Sequence, residues 1–110
     1  MPLFITYASY SQSGVKGMVD SPSDRADAIS GLLEKAGAKL VALYMTTGTN
    51  DLVLVSEASD GADTVALGMA VGSTGSLSNI ETVRAWTSAE FVDIAKKAGG
   101  LVGSYTPPGS

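Results

Sequence analysis

The sequence predicts an α+β domain in the order β-α-β-β-α-β, with a four-stranded antiparallel sheet, two helices on one face and an extra C-terminal helix. Three observations carry this expectation. Four segments of strand length are rich in aliphatic, aromatic and Thr residues. Apolar stripes at helical spacing, each behind a capping residue, separate the first pair and the last pair of strands. The middle two strands are joined by a short Gly-containing turn and so form a hairpin.

Leu3 to Tyr10 reads as the first strand, and Ser11 to Asp20, with Gly14, Lys16 and Gly17, as a loop. Ser21 is the expected N-cap of the first helix, with Pro22 in the first helical position and Asp24 three residues on. Ala26, Ile29, Leu33 and Ala36 make its stripe, and Gly37 ends it. Ala38 to Thr46 and Asp51 to Ala58 form the hairpin around Thr47-Gly48-Thr49-Asn50, where Gly48 is expected at positive φ. Asp60 caps a second helix whose stripe is Ala62, Val65, Ala66, Met69 and Ala70. Ile80 to Trp86 is the fourth strand. Thr87-Ser88-Ala89-Glu90 starts a last helix, which Gly99-Gly100 is expected to stop. Residues 1–98 are thus read as one domain and 99–110 as an extended or disordered tail. The order is the split βαβ, or ferredoxin-like, arrangement.

The 110 residues include seven Lys or Arg and eleven Asp or Glu, a net charge of −4, and neither His nor Cys. Disulfides, thiolate nucleophiles, His-based triads and imidazole or thiolate metal sites are excluded. No metal and no organic cofactor is expected. Phosphate binding along nucleic acid needs clustered Lys and Arg, which are absent. No apolar run approaches the roughly 18 residues of a membrane span, and Met1-Pro2-Leu3-Phe4 lacks the basic start of a signal peptide. A cytoplasmic protein without nucleic-acid or membrane partners is expected.

Only 16% of residues are charged, against 45% hydrophobic. The strands do not alternate cleanly between apolar and polar, yet two helices cover only one face of a sheet. The expected solution is a homodimer or higher homo-oligomer, two sheets packing face to face as a dimeric α/β barrel. Val41, Leu43, Val53, Val55, Val83 and Ala85 are assigned to the helix-covered face. Tyr44, Thr46, Thr82, Arg84 and Trp86 are assigned to the interface.

Several segments together resemble the GYD domain family. They are Met1-Pro2-Leu3-Phe4-Ile5, Gly14 with Lys16, Ser21-Pro22-x-x-Arg25-Ala26, Gly37-Ala38-Lys39-Leu40 with Tyr44, Gly48-x-x-Asp51 and Glu81-Thr82-Val83-Arg84-Ala85-Trp86-Thr87. The likeness spans roughly residues 1–97. The name-giving Gly-Tyr-Asp reads here Gly48-Thr49-Asn50-Asp51, without the Tyr and with one residue inserted. The resemblance implies a ferredoxin-like fold in a prokaryotic cytoplasmic protein and no particular activity. The wider dimeric α/β barrel group holds oxygenases, isomerases, haem proteins and binding modules, so fold does not choose among them.

Tyr7, Tyr44, Asp51, Arg84 and Trp86 are the candidate ligand-binding residues. Asp51 offers a carboxylate as base or ligand, or a bond to turn N–H groups. Arg84 offers a guanidinium for a substrate carboxylate, or an ion pair. Asp51, Thr46, Pro2 and Trp86 are expected at one end of the sheet, with Lys16, Lys39, Glu57 and Asn79 at the other. Lys16 sits between glycines but lacks a phosphate-loop pattern. Pro2, if exposed by loss of Met1, resembles the base of a tautomerase. The readings are a small-molecule-binding or regulatory module, a cofactor-independent oxygenase or isomerase, and a purely structural assembly unit.

Overall fold

The computed structural model describes residues 1–109. Four strands, β1 (Leu3–Tyr10), β2 (Ala38–Met45), β3 (Leu52–Ala58) and β4 (Leu77–Ala85), form one antiparallel sheet in the order β2-β3-β1-β4. The helices are α1 (Gln12–Asp20), α2 (Ala26–Lys35), α3 (Gly61–Gly72) and α4 (Ser88–Leu101), followed by a 3₁₀ turn, Val102–Ser104. This is the expected ferredoxin-like topology. The sheet is open and does not close into a barrel.

The register sorts every strand residue onto one of two faces. Three rows cross the sheet toward α2 and α3: Leu40-Ser56-Phe4-Arg84, Leu43-Leu54-Thr6-Thr82 and Met45-Leu52-Ala8-Ile80. Phe4, Leu33, Ala38, Leu54 and Ala58 are the buried core, and Ile29 and Leu67 pack against it from α2 and α3. The opposite rows are Lys39-Glu57-Leu3-Ala85, Ala42-Val55-Ile5-Val83 and Tyr44-Val53-Tyr7-Glu81. Among the described residues no helix covers them.

The expected face assignment is therefore corrected. Val53, Val55, Val83 and Ala85 lie on the open face, and Thr82 and Arg84 lie on the helix side. Within β2 a bulge between Leu40 and Ala42 also breaks the alternation. The extra residue, Val41, shifts the alternation by one, so that Leu40 and Leu43 both face the helices.

Residues 12–20 form a helix rather than a loop. The Ser11 hydroxyl accepts the Gly14 N–H at 3.2 Å, and Lys16 pairs with Asp20 one turn on at 2.6 Å. Gly14 is where α1 meets the loop before β4: a Cβ there would stand 2.1 Å from the Ser76 carbonyl oxygen. Ser21 closes α1 instead of opening α2, its N–H donating to Gly17 O. α2 begins four residues later than the Ser21-Pro22 signature suggests, and Asp24 accepts the Ala26 N–H at 2.9 Å.

α3 starts at Asp60 as expected, its carboxylate accepting the Ala62 N–H. The expected stripe points outward: Val65 and Met69 are exposed, whereas Thr64, Leu67, Gly68 and Val71 face the sheet. The helix is apolar around most of its circumference, so periodicity does not choose its buried side. The small Gly68 and Gly72 admit close packing on Ile80 of β4.

α4 carries a full capping box between Thr87 and Glu90. Gly99-Gly100 lie inside it; the helix runs to Leu101, past the expected boundary at 98. It makes no substantial contact with the sheet or the other helices, and every one of its residues is exposed. Its projection gives a longest dimension of 61 Å and a radius of gyration of 17.9 Å. A compact domain of this length has about 13 Å.

Ser56, in the helix-side row, is 1% exposed and its hydroxyl has no hydrogen-bond partner among the described residues. A buried hydroxyl without a partner is destabilising. Ser56→Ala is expected to raise the unfolding free energy by about 1 kcal/mol, read by urea denaturation; an unchanged or lower midpoint would show that the hydroxyl is satisfied.

Candidate functional site

The layer between α2, α3 and the sheet is not completely filled. A cavity of about 110 Å³ remains there, floored by Thr6, Ala8 and Leu54 and walled by Ile29, Leu67 and Ile80. The small residues create it: Ala8 in the central strand and Gly68 on α3 stand where larger side chains would meet. Its one polar feature on the floor is internally satisfied, because the Thr6 and Thr82 hydroxyls bond each other at 2.9 Å. A more open hollow of about 270 Å³ adjoins it, lined by Ser13, Gly14, Ser21 and Ser23 of α1 and the loop to α2. Tyr10, Arg25 and Ser76 line both spaces and mark the passage between them.

The candidate residues from the sequence do not converge there. Tyr7 and Tyr44 lie on the open face, flanking Val53 in one row. Arg84 lies on the helix side at the far end of β4. Its guanidinium stands 4.5 Å from the centre of the Trp86 ring and 5.7 Å from that of Phe4. It also donates to the Leu3 carbonyl at 3.2 Å and to the Ala85 carbonyl. The side chain clasps the start of β1 to the end of β4.

Asp51 sits at the other end of the sheet. In an antiparallel pair the start of β3 meets the end of β1, so Leu52 pairs with Ala8 and not with Leu3. The expected grouping of Asp51 with Pro2 and Trp86 is therefore reversed. Lys39 and Glu57 share the Trp86 end; Lys16 and Asn79 share the Asp51 end. The Asp51 carboxylate accepts the Tyr10 N–H at 2.8 Å, its own N–H donates to Ala8 O and its carbonyl accepts the Thr46 N–H. It bonds the last ladder position of β1, where β3 has run out of backbone acceptors. Lys16, with its charge taken by Asp20, has no phosphate-loop geometry around it.

The profile of the GYD domain family matches residues 4–95. The chain belongs to the GYD domain family. A crystal structure of TTHA0845 from Thermus thermophilus is similar at a TM-score of 0.45 and 16% identity, covering 80% of this chain and 96% of that one. No curated protein matches the sequence. In this GYD domain Gly48 of the hairpin turn has φ +98°, as the turn requires, and Asp51 supplies the bond to Tyr10.

Among the described residues no three acidic side chains cluster as a metal site, and no helix is long and apolar enough to cross a membrane. The cavity residues of this GYD domain escaped sequence reasoning. Arg25 stood in the Ser21-Pro22-x-x-Arg25 signature and Tyr10 at a strand end, but only the tertiary fold brings them to one opening.

Asp51→Ala is expected to lower the unfolding free energy by about 1.5–3 kcal/mol, the range for hydrogen bonds to charged groups. Asp51→Asn, which keeps an acceptor for Tyr10, should retain most of that stability in the same urea titration. Equal losses in both variants would assign the effect to charge alone.

Glu90 has its carboxyl held below the usual glutamate range, first by the Thr87 N–H at 2.8 Å, then by the Thr87 side chain and the Arg84 charge. A lowered carboxyl stabilises the fold above the ordinary glutamate range and ceases to do so as pH falls through its own lowered value. Helicity of α4 should therefore decline on acidification through that window. Glu90→Gln, which cannot titrate, should flatten the response in far-ultraviolet circular dichroism. An identical acid profile in the variant would remove Glu90 as the cause.

Proposed function

We propose that this GYD-family protein is a homo-oligomeric small-molecule-binding module, with its binding site between the helices and the sheet. The observation that carries this is the cavity behind Tyr10 and Arg25. Its lining is nearly all apolar, a surface suited to holding a ligand and poor in proton-transfer groups. Catalysis at Arg84 has less support, because that guanidinium is already engaged by Trp86, Phe4 and two carbonyls.

The occupant proposed for the open face is a second copy of the chain. Ala42, Val55, Ile5 and Val83 form its central row, and the charged residues Lys39, Glu57 and Glu81 stand in the rows on either side. Charge is thus absent from the middle, as in the core of an interface. Tyr7 and Tyr44 are proposed as interface side chains beside that centre. The unpartnered α4, with Phe91 and Leu101 exposed, adds apolar surface to the same need. A purely structural assembly unit would account for these surfaces and leave the cavity without a role.

Light scattering should give a mass at least twice the 11.1 kDa of one chain. Val55→Lys, which places a charge in the middle of the open face, should reduce it to the monomer mass. A monomeric wild-type protein at micromolar concentration would overturn the assembly, and an unchanged Val55→Lys oligomer would move the interface elsewhere. For the cavity, xenon under pressure should shift the methyl resonances of Leu54, Leu67 and Ile80 in the wild-type protein and not in Gly68→Leu. Gly68→Leu places a larger side chain beside Ile80 while improving helix propensity. No shift in the wild type would overturn the binding reading.

A further inference from the structure

We infer that the cavity takes the chain of a short aliphatic carboxylate, with its carboxylate at Arg25. This rests on the cavity being a binding site and adds the chemical class of its ligand. Two adjoining spaces of opposite character carry the inference. The inner one is apolar; the outer one is lined by Ser13, Ser21, Ser23 and the glycines of α1. Arg25, Tyr10 and Ser76 stand where they meet. A ligand that occupies both must be apolar at one end and polar at the other.

The sign of the polar end follows from charge. Among the described residues Arg25 forms no ion pair. No carboxylate among the described residues lines either space. The positive charge at the passage is therefore left for an anion, and a guanidinium matches a carboxylate with two parallel hydrogen bonds.

Size follows from volume. A cavity of about 150 Å³ holds the six carbons of benzene, so 110 Å³ takes about four carbon atoms. Hexanoate, with four carbons for the cavity and one more to reach Arg25 where the two spaces meet, is the matching probe. A branched or cyclic acid of equal bulk has the same chemistry.

The test measures binding of butanoate, pentanoate, hexanoate, 1-hexanol and hexylamine to the full chain by methyl chemical-shift titration. From butanoate to hexanoate each added methylene should tighten binding about fourfold. Hexanoate should bind more tightly than 1-hexanol, and hexylamine more weakly than both. Arg25→Gln, a change on the exposed surface, should weaken hexanoate at least about tenfold and leave 1-hexanol unchanged. Gly68→Leu should abolish both. If 1-hexanol matches hexanoate, or Arg25→Gln does not affect hexanoate, the carboxylate class is wrong while the cavity remains a binding site. If neither probe shifts the Leu54, Leu67 and Ile80 methyls, the ligand class and the small-molecule reading fail together.

Discussion

β1 is paired along both edges, and its residues Phe4, Thr6 and Ala8 form the floor on which α2 and α3 rest. Once β1 is locked between β3 and β4, the side of every other strand residue is determined by register. Phe4 opposes Ser56 and Arg84, and Ala8 opposes Leu52 and Ile80. The core, the cavity and the open face are all consequences of that pairing. Asp51 and Arg84 hold its two ends, one through the Tyr10 N–H and the other through the Leu3 carbonyl.

The same constraint divides the apolar residues between two sides. One set is buried beneath helices. The other, around Ile5, Val55 and Val83, is left without cover, and α4 makes no substantial contact with the sheet. A 14-residue helix with no packed face is at the margin of independent stability. Its capping box secures the first turn only. The outward side of α3, with Val65 and Met69, adds a further apolar surface. These three surfaces are the structural expression of a composition rich in apolar and poor in charged residues.

Local chemistry was legible where one residue determines a conformation. Gly48 takes the positive φ of the hairpin, Asp60 and Thr87 cap their helices, and the four strands lie close to their expected places. Legibility failed where a distant element decided the outcome. Gly14 looks like loop flexibility, but it is the point where α1 touches the Ser76 carbonyl. The outward stripe on α3 has the same period as a buried one, and only contact with Ile80 shows which side is in. Ser21-Pro22 resembles a helix start and instead closes the preceding helix.

The sequence by itself determined the strands and the helices other than α1, the ferredoxin-like topology and the excess of apolar surface, because turn residues, caps and composition act locally or as totals. Only the tertiary structure decided which side of the sheet each residue occupies and which ends of the strands meet. A single extra residue in β2, Val41, is enough to move side chains from one face to the other. Arg84 and Tyr44, expected together, stand on opposite faces because Arg84 pairs with Phe4 on the helix side and Tyr44 shares the row of Tyr7. Tyr10 and Arg25, far apart in the chain, line one opening.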